Sequence, residues 1–455
     1  MTKKDFKNKK ITIMGLGLHG GGVGSARFFA QAGAKVLVTD IKSEDELRPS
    51  LVKLKDLNIK YALGQHRPED FRNTDMIIKN PGVPQSSKYL AMARENKVPI
   101  YTDIEIFLNL CKAPIIAITG TKGKSTTASL IYTILKKEYE NIILAGNIRI
   151  SVLSKLKNIK KNYLIILELS SSQLEDLGKT QIYPHTTIIT NIFPDHIDRH
   201  KTLENYVKAK SKIFKNQDKG DFLILNYDNK LTRKLFKQAK ARIRFFSLKV
   251  EKIKGAHVLG KNIVWGRDKE FICPKSAVNL LGRHNLYNAL AAITCAKIYK
   301  IKNKNIKKAL KSFKSLDGRL EFIREINKVK YYNDTCATQP DAVIAALKSF
   351  KQPIVLIAGG SNKDLDFIGL AQRLTKGVRL LILLPGDGSD KIRRLLQKQE
   401  VKIMQVENMK QAVLVAHQSS EPGDIVLLSP GCASFSRFKH EFDRGRKFEK
   451  SVERL

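Results

Sequence analysis

The chain has 455 residues, 42% of them hydrophobic and 27% charged, with 82 basic against 43 acidic side chains and a formal net charge of +39. That length suits two or three domains, each with its own core, and with no run of 18 apolar residues a membrane span is excluded. The charge raises nucleic-acid binding as an alternative. The basic residues, however, are mostly lysines dispersed through Ile- and Asn-containing segments, so no specific nucleic-acid partner is expected, only attraction for polyanionic substrates such as nucleotides.

Five scattered cysteines, Cys111, Cys273, Cys295, Cys336 and Cys432, have neither metal spacing nor even pairing, which points to a reducing, cytoplasmic setting. The basic first ten residues lead into a strand without a small-residue cleavage site, so they do not read as a secretion signal.

From Lys10 to Gly24 the chain reads as a strand, a glycine-rich turn and a helix around Ser25 to Gln31. Gly15, Gly17 and Gly20 have the spacing of a dinucleotide fingerprint, and Asp40 closes the next strand, Lys35 to Thr39, where a ribose-binding acid would stand. Alone, the pattern fits either a nucleotide site or glycines that let strand and helix pack closely. A later strand, Met76 to Lys79, ends in Asn80-Pro-Gly-Val-Pro84, where extended backbone before each proline makes a rigid rim.

Ile115 to Thr127, Ile-Ile-Ala-Ile-Thr-Gly-Thr-Lys-Gly-Lys-Ser-Thr-Thr, carries the strongest chemistry. An apolar strand runs into a turn at Gly120, Thr121, Lys122 and Gly123, and a helix from Ser125 through Leu135 offers its N-terminus to an anion. Lys124 adds a point charge for the outer phosphates of ATP, and Ser125 or Thr126 a hydroxyl for magnesium. The full Walker spacing is absent, because Ile118 stands where its first glycine would fall.

Next comes Ile142 to Asn147, and then Tyr163 to Ser170, an almost unbroken apolar strand of the kind buried on both faces of a parallel sheet. Its exception, Glu168, is placed to hold magnesium at the strand's carboxyl end. Thr186 to Asn191 is a further strand. A helix from Leu203 to Lys215 places Leu203, Tyr206, Val207, Ile213 and Phe214 on one face with Lys210, while Lys208, Lys212 and Lys215 read as solvated. An inward lysine must snorkel, pair with an acid, or lose its charge, and a neutral amine can take up carbon dioxide. Without further information an ion pair is the simpler reading for Lys210.

Phe222 to Cys273 is expected to form strands and turns around Trp265. Asn285 and Asn288 then lie three apart on a helix, as caps or as amides for an adenine edge. Strands at Ile354 to Gly360, Arg379 to Leu384 and Asp424 to Leu428, separated by helices, form a second Rossmann-like sheet.

Thr119-Gly-Thr-Lys-Gly-Lys-Ser-Thr126 resembles the shortened phosphate loop of the Mur ligases, and matching motifs extend over nearly the whole chain. These are Glu168-Leu-Ser-Ser-Ser-Gln-Leu174, Ala209-Lys-Ser-Lys-Ile-Phe214, Gly282-Arg-His-Asn-Leu-Tyr-Asn-Ala-Leu290 and the Arg319-Leu-Glu321 turn. The resemblance implies an α/β protein of three domains. A UDP-precursor-binding Rossmann-like domain would span 1–108, a central ATP-binding P-loop domain 109–314, and a C-terminal Rossmann-like domain for the amino acid 315–455. It implies an ATP- and magnesium-dependent ligase, a cytoplasmic monomer, that adds D-glutamate to UDP-N-acetylmuramoyl-L-alanine through an acyl phosphate.

Residue by residue, the resemblance assigns Leu18 and His19 to the diphosphate, Asp40 to the uracil, and Asn80 and Gly82 to the closing rim. Asn147 lies at the edge of the active site. It makes Lys210 a carbamylated lysine, His196 a metal ligand, and Arg319 and Asp334 nucleotide-side residues. Ser434 and Phe435 line the amino-acid pocket. At Cys336 members adding D-glutamate commonly carry lysine, so the missing charge would fall to Lys363 or Arg437. A Mur-type ligase for another amino acid and a nucleic-acid-stimulated P-loop NTPase are the alternatives.

Overall fold

A computed structural model describes residues 2–18, 20–147, 151–177, 181–362, 365–434 and 438–455. The expected site positions His19, Lys363, Phe435 and Arg437 lie outside the described residues. The chain divides into two compact units, Met1–Ala277 with Tyr287–Leu310, and Val278–Leu286 with Lys311–Leu455. Among the described residues no helix is long and apolar enough to cross a membrane.

The first unit opens with five parallel strands, β1 (Lys10–Met14), β2 (Lys35–Asp40), β3 (Ile59–Leu63), β4 (Met76–Lys79) and β5 (Ile100–Tyr101), in the order β3-β2-β1-β4-β5. The strand order reverses between β1 and β4, so a crevice for a ligand lies beyond their carboxyl ends, where the glycine turn and the Asn80 rim stand.

A second parallel sheet contains β6 (Ile115–Thr119), β7 (Ile142–Gly146), β8 (Leu164–Glu168), β9 (Thr186–Ile189), β10 (Phe222–Asn226) and β11 (Arg242–Phe246). Its order, β11-β10-β9-β6-β8-β7, sets β6 between β8 and β9. Every residue of β6 and β8 is buried, as their continuous apolar runs require of strands covered on both faces. One apolar cluster continues from Phe29 and Val36 through Phe107 to Ile115 and Leu167, so the two parallel sheets share a core. The stretch around Trp265 adds a three-stranded antiparallel sheet, β12 (Ala256–Leu259), β13 (Asn262–Trp265) and β14 (Glu270–Pro274).

The second unit is built on β15 (Glu321–Ile326), β16 (Val329–Asn333), β17 (Ile354–Gly359), β18 (Val378–Leu384), β19 (Ile403–Gln405) and β20 (Ile425–Leu428), in the order β15-β16-β20-β17-β18-β19. Only β15 is antiparallel to its neighbour, an edge hairpin whose residues are all at least partly exposed. Alternation divides the inner strands between two cores. Leu356, Leu381 and Leu427 face one layer, and Val355, Ile382 and Val426 the other.

Several strand ends shift by a residue or two from those read in the sequence, and three helix boundaries differ as well. The first helix begins at Gly21, not Ser25, because Gly20 caps it in the left-handed region at φ 87°. The phosphate-loop helix begins at Lys124. The helix expected over 203–215 is α-helical for Leu203–Ser211 and tightens to a 3-10 turn at Lys212–Phe214. Lys212, expected to be solvated, is half-buried and donates to the Glu175 carbonyl at 2.8 Å, since that turn swings it inward.

Gly22 shows how closely the first helix approaches β1. A Cβ there would lie 2.4 Å from the Leu16 carbonyl oxygen and 2.6 Å from that of Gly15, both backbone atoms that cannot yield by rotation. Gly22→Ala is therefore expected to cost about 1–3 kcal/mol, read as a lower urea midpoint with an unchanged slope.

Candidate active site

At the end of β6 the chain turns through Gly120 into the helix Lys124–Leu135. The first-turn N–H groups of that helix lack intrahelical acceptors and form an anion seat. The loop is clamped from the end of β9. Thr121 N donates to the Asn191 carbonyl at 2.8 Å and Lys122 N to Asn191 Oδ1 at 2.9 Å, while Asn191 Nδ2 and Thr190 Oγ1 both donate to the Lys122 carbonyl. The sequence reading passed over Thr190 and Asn191. Their one signal was their place just after a strand that neighbours β6.

Two lysines converge on one oxygen. Lys124 Nζ donates to the Gly120 carbonyl at 3.0 Å and to that of Thr121 at 3.1 Å, and Lys210 Nζ donates to Gly120 O at 2.9 Å. Lys210 is 1% exposed, 4.5 Å from the Tyr206 ring centre, and among the described residues forms no ion pair. Burial, reinforced by the nearby Lys124 charge, lowers its pKa to about 6, so it is a neutral amine at pH 7. Of the three options open in the sequence, pairing with an acid is thus ruled out. Lys122 instead meets Asp195 at 3.2 Å. Tyr206, from the same helix as Lys210, places its hydroxyl 3.1 Å from Thr121 Oγ1.

Glu168 ends β8 in register with Ile118. It is 1% exposed. Its Oε1 accepts from Asn147 Nδ2 at 3.3 Å, while Oε2 is buried without a hydrogen-bond partner among the described residues. A buried carboxylate oxygen left in this way fits a cation. The described residues contain no cluster of three His, Cys, Asp or Glu side chains that could enclose a metal. A hard cation here would therefore complete its shell from phosphate and water oxygens, as magnesium does. His196 stands in the left-handed region at φ 54°, its backbone N–H donating to Asp195 Oδ1 and its side chain largely exposed.

Both expected amides of the helix Arg283–Ile298 are buried. Asn285 Nδ2 donates to the Leu281 carbonyl at 2.8 Å. Asn288 packs on the phosphate loop, with Oδ1 3.4 Å from Thr127 Oγ1 and only 2.2 Å from where a Cβ on Gly123 would stand. Gly123, at φ 83°, is thus held to glycine by both conformation and space.

At the β1/β4 crevice, Asp40 Oδ2 accepts from the Leu16 and Gly17 N–H groups at 2.8 and 3.0 Å, and Oδ1 from Lys42 N at 3.0 Å. Asp40 shapes the glycine turn, from which Leu18 projects at 36% exposure. Asn80 joins turn to rim, its Nδ2 donating to the Gly15 carbonyl and its Oδ1 accepting from Gly82 N, each at 3.2 Å.

In the second unit the ends of β16 and β20 form another loop cluster. Asp334 is buried, with Oδ2 accepting from Ser429 Oγ at 2.8 Å and Oδ1 from Leu320 N at 3.1 Å. Burial outweighs those bonds and pushes its pKa up to about 7. Through Leu320 it fixes the turn that presents the exposed Arg319. Cys336 is half-buried with Sγ 3.9 Å from the Asp317 carbonyl, and Ser434 is buried. Arg444, unnoticed in the sequence, is fully buried and donates to Thr335 Oγ1, to the Thr335 carbonyl and to the Cys432 carbonyl at 3.0–3.2 Å, binding the two loops together.

Three family models match in succession. They are the N-terminal domain of MurD-like Mur ligases over residues 9–102, the Mur ligase middle domain over 118–296, and the Mur ligase glutamate ligase domain over 318–432. The chain belongs to the Mur ligase family, with the three-domain α/β fold of that family. Within it, the chain is 41% identical to the UDP-N-acetylmuramoylalanine--D-glutamate ligase of Roseiflexus sp. (strain RS-1), with 98% of each chain covered. It is 38% identical to the enzyme of that description from Borreliella burgdorferi (strain ZS7), with 100% of each covered. Among solved structures it resembles UDP-N-acetylmuramate-alanine ligase from Thermotoga maritima, with a TM-score of 0.70, 20% identity, and 98% of this chain and 100% of that one covered.

The state of Lys210 makes stability depend on pH. In the unfolded chain the amine holds its proton up to the usual lysine range near 10.5, and in the fold it loses it near pH 6. The unfolded state therefore binds more protons between those values, and stability rises with pH across the window. In bicarbonate-free buffer Lys210→Met is expected to be more stable than the parent at pH 6, by at least about 1 kcal/mol, with the gap narrowing towards pH 10 in urea titrations.

Proposed function

We propose that this chain is an ATP-dependent ligase that adds D-glutamate to UDP-N-acetylmuramoyl-L-alanine in peptidoglycan precursor synthesis, with domains at 1–108, 109–314 and 315–455. One observation carries the reading. Lys124 and an uncharged Lys210 share the Gly120 carbonyl, while the neighbouring strand ends in Glu168 with a buried oxygen that has no partner among the described residues. The near full-length likeness to D-glutamate ligases supports the substrate assignment.

In this reading the turn at Leu16 to Leu18, with His19, and the rim at Asn80 and Gly82 grip the UDP end of the acceptor. ATP lies over Gly120 to Thr126, its outer phosphates on the first-turn N–H groups and Lys124. The acceptor's terminal carboxylate attacks the γ-phosphorus and expels ADP, giving an acyl phosphate. The amine of D-glutamate then attacks the acyl carbon. The amide forms, the bond to phosphate breaks, and the amine's proton leaves with solvent. Magnesium would be held by Glu168, with Ser125, His196 and a carbamylated Lys210 as further ligands, and would supply charge neutralisation at the phosphoryl group. Asn285, Asn288, Arg319 and Asp334 serve the nucleotide, and Asn147 fixes Glu168. Cys336, Lys363, Ser434 and Phe435 border the amino acid.

Cys336 favours one second reading, a ligase of this type for a less acidic amino acid, because a thiol offers no cation at neutral pH where the resemblance calls for lysine.

Phosphate release from ATP is expected to require magnesium, UDP-N-acetylmuramoyl-L-alanine and D-glutamate together, and Lys124→Ala to lower it by at least about 10²-fold. Release with the UDP-sugar and a different amino acid would favour the second reading, and release stimulated only by single-stranded nucleic acid would overturn both. Carbamylation predicts a ¹³C resonance from labelled bicarbonate that is absent in Lys210→Met and fades as the pH falls through about 6.

A further inference from the structure

A buried charge cluster joins the acceptor rim to the segments that carry Glu168 and His196. Lys79, the last residue of β4, turns inward and is 1% exposed, with Nζ 2.7 Å from Asp176 Oδ2 and 2.9 Å from the Val83 carbonyl. Asp176 Oδ1 accepts from Gln85 Nε2 at 2.8 Å and from Arg199 Nη2 at 3.2 Å. Arg199 spreads its fork further, with Nε 2.8 Å from Glu175 Oε2 and Nη1 donating to the Pro81 carbonyl at 3.3 Å.

Each member is fixed to a segment of the candidate site. Val83, Pro81 and Gln85 belong to the rim that begins at Asn80. Glu175 and Asp176 close the short helix Ser171–Glu175, which starts three residues after Glu168. Arg199 follows His196 by three residues in the segment Ile197–His200. Burying such a cluster is a poor way to gain stability, because desolvating the charges cancels most of their attraction and apolar residues of similar volume serve as well. Its geometry does what apolar packing cannot, which is to set backbone carbonyls of one segment at fixed directions from carboxylates of another. A planar guanidinium reaching three acceptors is specific to arginine.

We propose that Lys79, Asp176 and Arg199 are positioning residues that hold the 80–85 rim in register with the Glu168 and His196 segments. An acceptor seated at the rim then presents its carboxylate to the phosphate loop. The inference rests on the ligase reading given above.

The test uses the full chain and two variants, Lys79→Met with Asp176→Leu, which removes both buried charges at similar volume, and Arg199→Lys, which keeps charge but loses the fork. The native enzyme is assayed first. No acceptor-dependent phosphate release would overturn the ligase reading itself. Given native activity, the expected result for a folded variant is a rise of at least fivefold in KM for UDP-N-acetylmuramoyl-L-alanine, KM for ATP within twofold, and Tm within a few degrees of the parent. A smaller rise in acceptor KM, or acceptor and ATP KM rising together, overturns the positioning role, since a purely structural cluster gives one or the other. Should the double variant fail to fold, Arg199→Lys, whose side chain is 24% exposed, carries the same comparison.

Discussion

Burial beside a second lysine works against the charge on Lys210, and that conflict at Gly120 organises the centre of this molecule. Lys124 is partly exposed, lies at the start of a helix and reaches a second carbonyl. Among the described residues Lys210 has the Gly120 oxygen and the face of Tyr206, and its burial costs it the proton. The result is an anion seat beside a neutral amine, produced by burial and like-charge repulsion that outweigh the attraction of Asp195, with no ion pair to Lys210 among the described residues. The clamp from Thr190 and Asn191 keeps the loop where this conflict persists, because a loop free to move would relax it.

The remaining candidate site residues are placed by one topological rule applied three times. In each parallel arrangement the chain leaves the carboxyl ends of neighbouring strands and the loops there meet. β1 and β4 bring together the glycine turn and the Asn80 rim. β6, β8 and β9 bring together the phosphate loop, Glu168 and Asn191. β16 and β20 bring together Asp334, Cys336 and Ser434, tied by Arg444. Within the first unit the Lys79, Asp176 and Arg199 cluster spans two of these meeting points, since the two sheets share a core.

Much of this was legible in the residues. Continuous apolar runs marked β6 and β8 because strands covered on both faces leave no polar alternation. Glu168 stood out as the single acid in such a run, and Lys210 as a lysine on an apolar helical face. What escaped notice was of another kind. Asn191, Arg444 and Asp176 are ordinary polar residues in ordinary positions, and their partners lie 69, 109 and 97 residues away in the chain. Lys212 was misread because periodicity assumed a regular helix, whereas the tightened turn at Lys212–Phe214 rotates it inward.

The sequence by itself determined the strand and helix types, the phosphate-loop chemistry and the family. Each of these depends on local spacing, which is fixed by backbone geometry and side-chain pattern alone. Only the tertiary structure decided that, among the described residues, Lys210 has no ion-pair partner and Glu168 keeps one oxygen unpaired, and that Asp40 spends its oxygens on the glycine turn. These are properties of burial and of contacts between distant segments. A charge's state depends on every group packed around it, and no local pattern records them.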